Sequence, residues 1–456
     1  MRLFSIFRSE LYKFFPLFAP ILISQYAQTA NGIVDTVMTA RLGATELGGV
    51  AVGVALWMPV YMFVIGVLFG VLIIIARYFG ANDVKQVRSF AWQGIWMGSG
   101  LGFCASLLVY MISLRMEFFG VDEQLAHTAQ AYVRMVLIGF PFGAAAVALR
   151  FYCEGQKAIF PVTFMAILIV CFNAVFNYLL MFGNLGFPAL GARGCGLATS
   201  LSMVMFLVML IGYTGFSKRF KAYRLLTGVC RPRADAFKNI FKLGIPIGFG
   251  FTNEYLVLSV ITLFIGSTGA LPVSAHQAAF SCMMLFFTIP AAVSFAASIR
   301  ISNLMGARDF VQLGHAANSI LLFSSMIGMT ISFLIFFQAE QLAVLIADNP
   351  EIASLASDLI RISAFFLLAD AIQICCNGIL RGAGDTAIPF AVTACSYWLV
   401  CIPLGYFLSG MPLPWEVSIS ADLFGLRGWW YALTISISLT AVLLYLRLRI
   451  IIFQSR

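Results

Sequence analysis

Charge is scarce in this 456-residue chain: Asp, Glu, Lys and Arg together make up 10% of it, and there are 3 histidines. A water-soluble domain carries about a quarter of its residues charged, so that class is excluded. His127, His276 and His315 are scattered and form no HExxH or related pattern, and the chain contains no GxxxxGK[ST] phosphate loop. Neither a metalloenzyme nor an ATP-driven motor is therefore indicated; the chain is read as a non-enzyme, with no cofactor. The 10 cysteines show no metal spacing and no disulfide framework, and the adjacent pair Cys375 and Cys376 points to different helix faces. A removable signal peptide is also missing. The first apolar run is interrupted by Pro16, Pro20, Gln25, Gln28 and Asn31 and has no small-residue cleavage site, so the N-terminus is expected to be retained.

What the chain has in abundance is apolar sequence, 61% of its residues. It falls into blocks at about 14–40, 47–76, 90–114, 125–150, 158–182, 190–215, 239–266, 273–299, 314–337, 352–380, 386–409 and 428–450. Each block is long enough to cross about 30 Å of hydrocarbon as a helix, and none has the alternation of a membrane strand. The expected fold is an all-α polytopic membrane protein of twelve transmembrane helices. The net charge of +9 could suggest nucleic acid, but its placement argues otherwise. With alternate loops on opposite sides, Arg41, Arg115, Arg193 and Arg427 fall on one side, Arg134 and Arg361 lie inside spans, and all the other cations fall on the side of both termini. This is the positive-inside pattern with cytoplasmic termini, and the partner it implies is a lipid bilayer rather than nucleic acid. A compact multi-pass chain with short loops fits a bacterial inner (plasma) membrane.

The chain also repeats. "LFAPILI" around Pro20 resembles "KLGIPIG" around Pro246, and "GAND" at 80–83 resembles "GARD" at 306–309. "GQKAI" at 155–159 matches "GDTAI" at 384–388, and "GARG" at 191–194 matches "GLRG" at 425–428. The expected organisation is an N-terminal six-helix lobe at 1–216, a basic cytoplasmic linker at 217–238 and a C-terminal six-helix lobe at 239–456. Lys218, Arg219, Lys221, Arg224, Arg231, Arg233 and Lys238 make that linker a topology signal and a contact for anionic headgroups. Two halves of the same polarity imply a pseudo-twofold axis along the membrane normal, with a cavity between or within the lobes suited to alternating access.

Acids inside spans cost several kcal/mol unless neutralised, paired or hydrated, so each marks a candidate functional site. Three stand well inside: Asp35, Glu254 and Asp370. Ser24, Gln28, Asn31, Asp35 and Thr39 follow helical spacing and form one polar stripe along the first span. Ser363, Asp370, Gln373 and Asn377 form a second stripe in the tenth. The fifth span adds Asn173 and Asn177 on one face, and the sixth adds Thr199 and Ser200, at depths that allow them to meet Asp35. A carboxylate with two amide oxygens and a hydroxyl supplies hard oxygen ligands for Na+, or a hydrogen-bonded pocket for one proton. The residues leave both open. Arg134, Arg150 and Arg361 are expected to snorkel or pair with acids, and the 44 Phe and 19 Met suit an adaptable greasy cavity as well as ordinary packing.

"NGIVDTVMTARLGATELGGVAVG" at 31–53, "NYLLMFGNLGFPALGARGCGLAT" at 177–199 and "LRGAGDTAIP" at 380–389 resemble the multidrug and toxic compound extrusion (MATE) transporters, almost end to end. Glu254 and Asp370 make the chain most similar to the NorM-like branch. The resemblance implies a secondary active multidrug exporter of organic cations and amphipathic toxic compounds, working by antiport with Na+ or H+ and acting as a monomer. By position it implies a cation site in the N-terminal lobe at Asp35, Asn173, Asn177 and Thr199, with Na+ possible there. It likewise implies acids in the C-terminal lobe, Glu254 and Asp370, for substrate or cation. Gln28, Asn31, Gln373 and Asn377 support these sites. Pro20 and Gly32 give the first span bending points. The alternative is a flippase of lipid-linked oligosaccharides in the same superfamily; such a protein needs basic residues for pyrophosphate, whereas this interior is acidic.

Overall fold

A computed structural model describes residues 2–116, 122–223, 225, 228–266, 268–347, 349–410 and 424–454. Among them the regular structure is helical. The rods are α1 (Arg2–Ala40), α2 (Ala44–Gly80), α3 (Val84–Ser113), α4 (Glu123–Gly155), α5 (Ile159–Phe182), α6 (Ala192–Phe216), α7 (Ala234–Gly266), α8 (Ala270–Ala307), α9 (Phe310–Ile346) and α10 (Pro350–Ala383). Then α11 (Ala387–Cys395) runs through a π-turn at Ser396–Cys401 into α12 (Ile402–Leu408), and α13 (Leu426–Gln454) closes the chain. Helices are the outcome because hydrocarbon offers backbone N–H and C=O groups no partner, so each apolar block must satisfy its own. Among the described residues 11 rods are long and apolar enough to cross a membrane. The twelfth is α1, whose 39 residues are ample in length. Its stripe of Gln25, Gln28, Asn31 and Asp35 dilutes its hydropathy, which is why the most polar rod is the one that carries the candidate site.

The chain forms two compact units. One holds Ala19–Thr252 with Gly306–Arg308, the other Met1–Phe18 with Asn253–Met305 and Asp309–Arg456. In the first, α2 and α4 are the most buried rods; in the second the repeat counterparts α8 and α10 take that place. Small residues make this possible. Ser298 and Ser302 of α8 donate to the carbonyls of Gly378 (2.8 Å) and Gly382 (3.0 Å) of α10. A Cβ on Gly378 would collide with the Ser294 backbone, so only glycine permits that approach. The outward rods show the opposite pattern: α9 exposes Leu322, Met326, Met329, Phe333 and Phe337 along one face, an apolar stripe that belongs in lipid.

The unit boundaries depart from the expected 1–216 and 239–456. They cut through α1 after Phe18 and through α7 after Thr252. Local chemistry explains both cuts. The N-terminal end of α1 is held inside the second unit by Arg300, which donates to Glu10 at 2.9 Å, and by Phe14 against Phe323. The N-terminal half of α7 packs Gly244 and Gly248 against the backbone of Val67 and Phe63 on α2.

The basic linker is more than a topology signal. Along one face of α3, Arg88, Trp92, Gln93 and Trp96 donate to the carbonyls of Gly228 (2.7 Å), Leu225 (3.0 Å), Arg231 (2.9 Å) and Cys230 (3.0 Å). The Gln93 carbonyl oxygen in turn accepts from Arg233 N at 2.8 Å. Arg219 reaches back to the Gln156 carbonyl at 2.6 Å, and Arg447 of α13 clasps Asp385, the repeat partner of Gln156, at 2.8 Å. Arg224 lies outside the described residues. Gln93→Ala removes two of the strap's bonds at about 1 kcal/mol each, so trypsin cleavage after Arg233 should accelerate by about 10-fold or more. Unchanged cleavage kinetics in purified protein would show that these bonds do not hold the strap.

Candidate functional site

Asp35 sits near the C-terminal end of α1, and the structure brings Asn177 onto it, with Asn173 joined through the Asn177 amide. Asn177 Nδ2 donates to Asp35 Oδ1 at 2.6 Å and to Asn173 Oδ1 at 3.0 Å. One amide thus bridges a carboxylate and a second amide, both asparagines being fully buried. The i, i+4 spacing of Asn173 and Asn177 on α5 puts them on one face, and the left-handed Gly183 (φ 72) ends the helix just beyond. The bridge leaves Asn177 Oδ1 and Asn173 Nδ2 without partners in a buried setting. Rotating the Asn177 amide would turn its oxygen toward Asp35 and Asn173 Oδ1, so the same three side chains can present oxygens to a cation.

Thr199 is not brought into this bonding. Its hydroxyl donates to the Cys195 carbonyl of its own helix at 3.1 Å. The residue one turn earlier, Cys195, is the one that meets α1: Thr39 donates to the Asp35 carbonyl at 2.6 Å and lies 3.9 Å from the Cys195 sulfur. Cys195 and Tyr132 lie within electrostatic reach of Asp35, and Trp57 donates to the Tyr132 hydroxyl at 3.4 Å. Sequence reading missed Cys195, Tyr132 and Trp57 because each is an ordinary core residue by pattern. It also missed Glu46, whose Oε2 accepts from Ala192 N at 2.6 Å. A carboxylate on a helix N-terminus is favoured by the helix dipole, and here it fixes the start of α6, and with it Cys195 and Thr199. Of the supporting stripe, Gln28 is exposed and bonded within its own helix to the Ser24 carbonyl at 3.2 Å. Asn31 Oδ1 is buried and unpaired.

The second unit holds its own acids. Glu254 is half-buried and Asp370 is 4% exposed. The two lie within electrostatic reach of each other, and Arg381 faces Glu254. Arg381 also donates to Ser294 Oγ at 2.7 Å and to the Asn377 carbonyl at 3.2 Å, so a cation at the C-terminal end of α10 turns inward. Gln373 is fully buried, and its amide has no partner but the Tyr397 hydroxyl beside it. Asn377 is half-buried one turn further on. Among the other charged residues, Arg150 pairs with Glu154 at 2.6 Å and Arg361 with Glu340 at 2.5 Å, as pairing with acids required, while Arg134 is exposed. No cluster of three or more His, Cys, Asp or Glu able to hold a metal occurs among the described residues.

Apolar rods of membrane length that enclose carboxylates and amides in their interiors define a multi-pass membrane protein with buried polar sites. The family model MatE matches the chain in two stretches, residues 20–179 and 246–407, one in each half. "Multidrug resistance protein NorM" of Aliivibrio fischeri is 30% identical over 443 residues, covering 97% of this chain and 95% of that protein. The fold is that of the eukaryotic MATE transporter AtDTX14, with a TM-score of 0.84 at 20% identity over 97% of this chain and 96% of that one. The Vibrio cholerae MATE transporter VcmN in its bent form gives a TM-score of 0.84 at 15% identity over 99% of each chain. The chain belongs to the MATE family of transporters.

Asn177→Leu strips the part-buried Asp35 carboxylate of a side-chain donor. The expected cost is about 1–3 kcal/mol, seen as a lower unfolding temperature in detergent. Combining it with Asp35→Leu, which removes the orphaned carboxylate, should recover part of the loss.

Proposed function

We infer that this MATE transporter is a cation-coupled exporter of organic cations and amphipathic toxic compounds in a bacterial inner membrane, with both termini cytoplasmic. The observation that carries the reading is the Asp35–Asn177–Asn173 bridge. An amide N–H occupies the place between two oxygens that a small cation would take, and the unpaired Asn177 Oδ1 is the ligand such a cation would gain. An ion entering from outside exchanges this bridge for its own coordination, or for a proton on Asp35. Either event breaks the bond that ties α1 to α5. Pro20 and Gly32 leave α1 with points at which it can then bend. A conformational change follows only if the ion binds the two arrangements with different affinity, and a bond made in one and lost in the other provides that difference.

The acids of the second unit, Glu254 and Asp370, supply negative charge for a positively charged guest. The name of the NorM relative supports a multidrug role. The membrane potential drives the exchange only when net charge moves inward: one charge crossing 100 mV is worth about 2.3 kcal/mol, against about 1.4 kcal/mol for a tenfold concentration ratio. Exchange of one inward ion for one outward monocation is electroneutral and runs on the chemical gradients alone.

The decisive assay places purified protein in liposomes with a fluorescent organic cation and imposes Na+ and pH gradients separately. The gradient that drives uphill movement identifies the coupling ion. Asp35→Asn should abolish uphill transport under either gradient while leaving the protein folded. Uphill transport by this variant at the wild-type rate, at equal protein, would remove Asp35 from the coupling step.

A further inference from the structure

The residues around Asp35 come from three rods, α1, α5 and α6, so the shape of the site depends on what keeps those rods in register. Two corners of the chain lie beside it. Residues 41–43 turn α1 into α2, and 183–191 turn α5 into α6. The second corner is folded back onto the end of α5: Leu190 N and Gly191 N donate to the carbonyls of Leu180 (2.9 Å) and Met181 (3.3 Å), one turn beyond Asn177. A Cβ on Gly194 would collide with the Leu180 carbonyl. The start of α6 is thereby fixed to the end of α5.

Glu46 joins the two corners. It is in the first turn of α2, and its Oε2 accepts from the N–H of Ala192, the first residue of α6, at 2.6 Å. The carboxylate also lies over Gly191, where a Cβ would come within 3.0 Å of Oε2 and where the left-handed φ of 57 already favours glycine. The base from which it reaches is firm: Gly49 of α2 approaches α4 so closely that a Cβ would collide with Thr128. Across the 41–43 turn from Glu46 lie Thr39 and Asp35. On α6 lies Cys195, its sulfur 3.9 Å from the Thr39 hydroxyl. A single carboxylate thus clasps the α1–α2 corner to the α5–α6 corner at the end of the unit where Asp35 and Asn177 meet.

The second half builds the same rods without this clasp. At the offset of GAND and GARD, Glu46 matches Pro272 and Asp35 matches Ile261. At the offset of GARG and GLRG, Cys195 matches Trp429. Ile261 and Trp429 are fully buried. Where apolar side chains replace the polar site the acid is replaced as well, so the clasp goes with the site rather than with the fold.

We propose that Glu46 is a positioning residue for the coupling ion. By holding the start of α6 and the end of α5 against the α1–α2 corner, it keeps the oxygens around Asp35 close enough to converge on one ion. It therefore sets the affinity for that ion and leaves the turnover of the loaded transporter unchanged. The proposal rests on the exporter reading above.

The test is transport of a fluorescent organic cation by full-length protein in liposomes, at varied concentrations of whichever of Na+ and H+ drives the wild type. Glu46→Ala should raise the half-saturating ion concentration about 10-fold and keep the maximal rate within about 2-fold. Glu46→Gln, whose amide oxygen can still accept the Ala192 N–H, should stay within about 3-fold of wild type on both measures. Glu46→Asp keeps the charge and is one methylene too short, so it should behave like Glu46→Ala and replaces it if the alanine variant does not fold. Wild-type half-saturation in the alanine or aspartate variant overturns the proposal, even with a lowered unfolding temperature, because the acid would then serve only the fold. So does Glu46→Gln falling as far as Glu46→Ala, since charge and not the bond would then be what matters. Wild-type protein that moves the dye uphill under neither gradient overturns the exporter reading and this role with it, whereas driven wild-type transport with an unaltered alanine variant overturns this role alone.

Discussion

Everything distinctive about this molecule follows from a carboxylate placed where water is scarce. Asp35 cannot remain charged in hydrocarbon unless something answers it, and the answer is a single amide: Asn177, 2.6 Å away, itself tied to Asn173. That bond requires the C-terminal parts of α1 and α5 to stand side by side. It is also a weak form of satisfaction. A neutral donor offsets part of the desolvation of an anion, while a proton or a metal cation offsets more. The site is therefore stable enough to fold and still open to a better partner, the property a coupling site needs.

The duplicated scaffold has been used twice, for different chemistry. Both units are built on a central pair of small-residue helices, α2 with α4 and α8 with α10. Both clasp the loop after the fourth rod with an arginine, Arg219 on Gln156 and Arg447 on Asp385. Inside, they diverge. The fifth rod of the first half supplies amides to Asp35; in its counterpart Tyr397 meets Gln373 and Trp398 donates to Asn253, around a turn opened by a proline the first half lacks. The strap between the halves is fastened to α3 by Arg88, Trp92, Gln93 and Trp96, a row with no equivalent on α9, where Gly314, Asn318, Ser319 and Leu322 stand in the matching places.

Much of this was legible in the chain. Apolar blocks of membrane length permit only helices, and an acid in such a block stands out because it is costly there. Asn173 and Asn177 were legible as partners for the same reason, spaced to share a face. Thr199 was named beside them; its hydroxyl donates to the Cys195 carbonyl of its own helix, and no pattern distinguishes a back-bonding threonine from one turned to a neighbour. Cys195, Tyr132 and Glu46 were not legible, since a core cysteine, a core tyrosine and an acid at a helix start are commonplace until something is seen beside them.

The sequence alone determined the membrane setting, the count of the rods, the twofold repetition and the identity of the three interior acids. These depend on local quantities, hydropathy along a rod and charge at its ends, that do not require knowing which rods touch. Only the tertiary structure decided that Asn177 and not Thr199 binds Asp35, that the linker is a fastened strap, that the units divide within α1 and α7, and that Trp398 lies on Asn253. Each of these is a contact between residues far apart in the chain, fixed by how glycines and serines let particular helices approach, and a one-dimensional pattern does not carry that information.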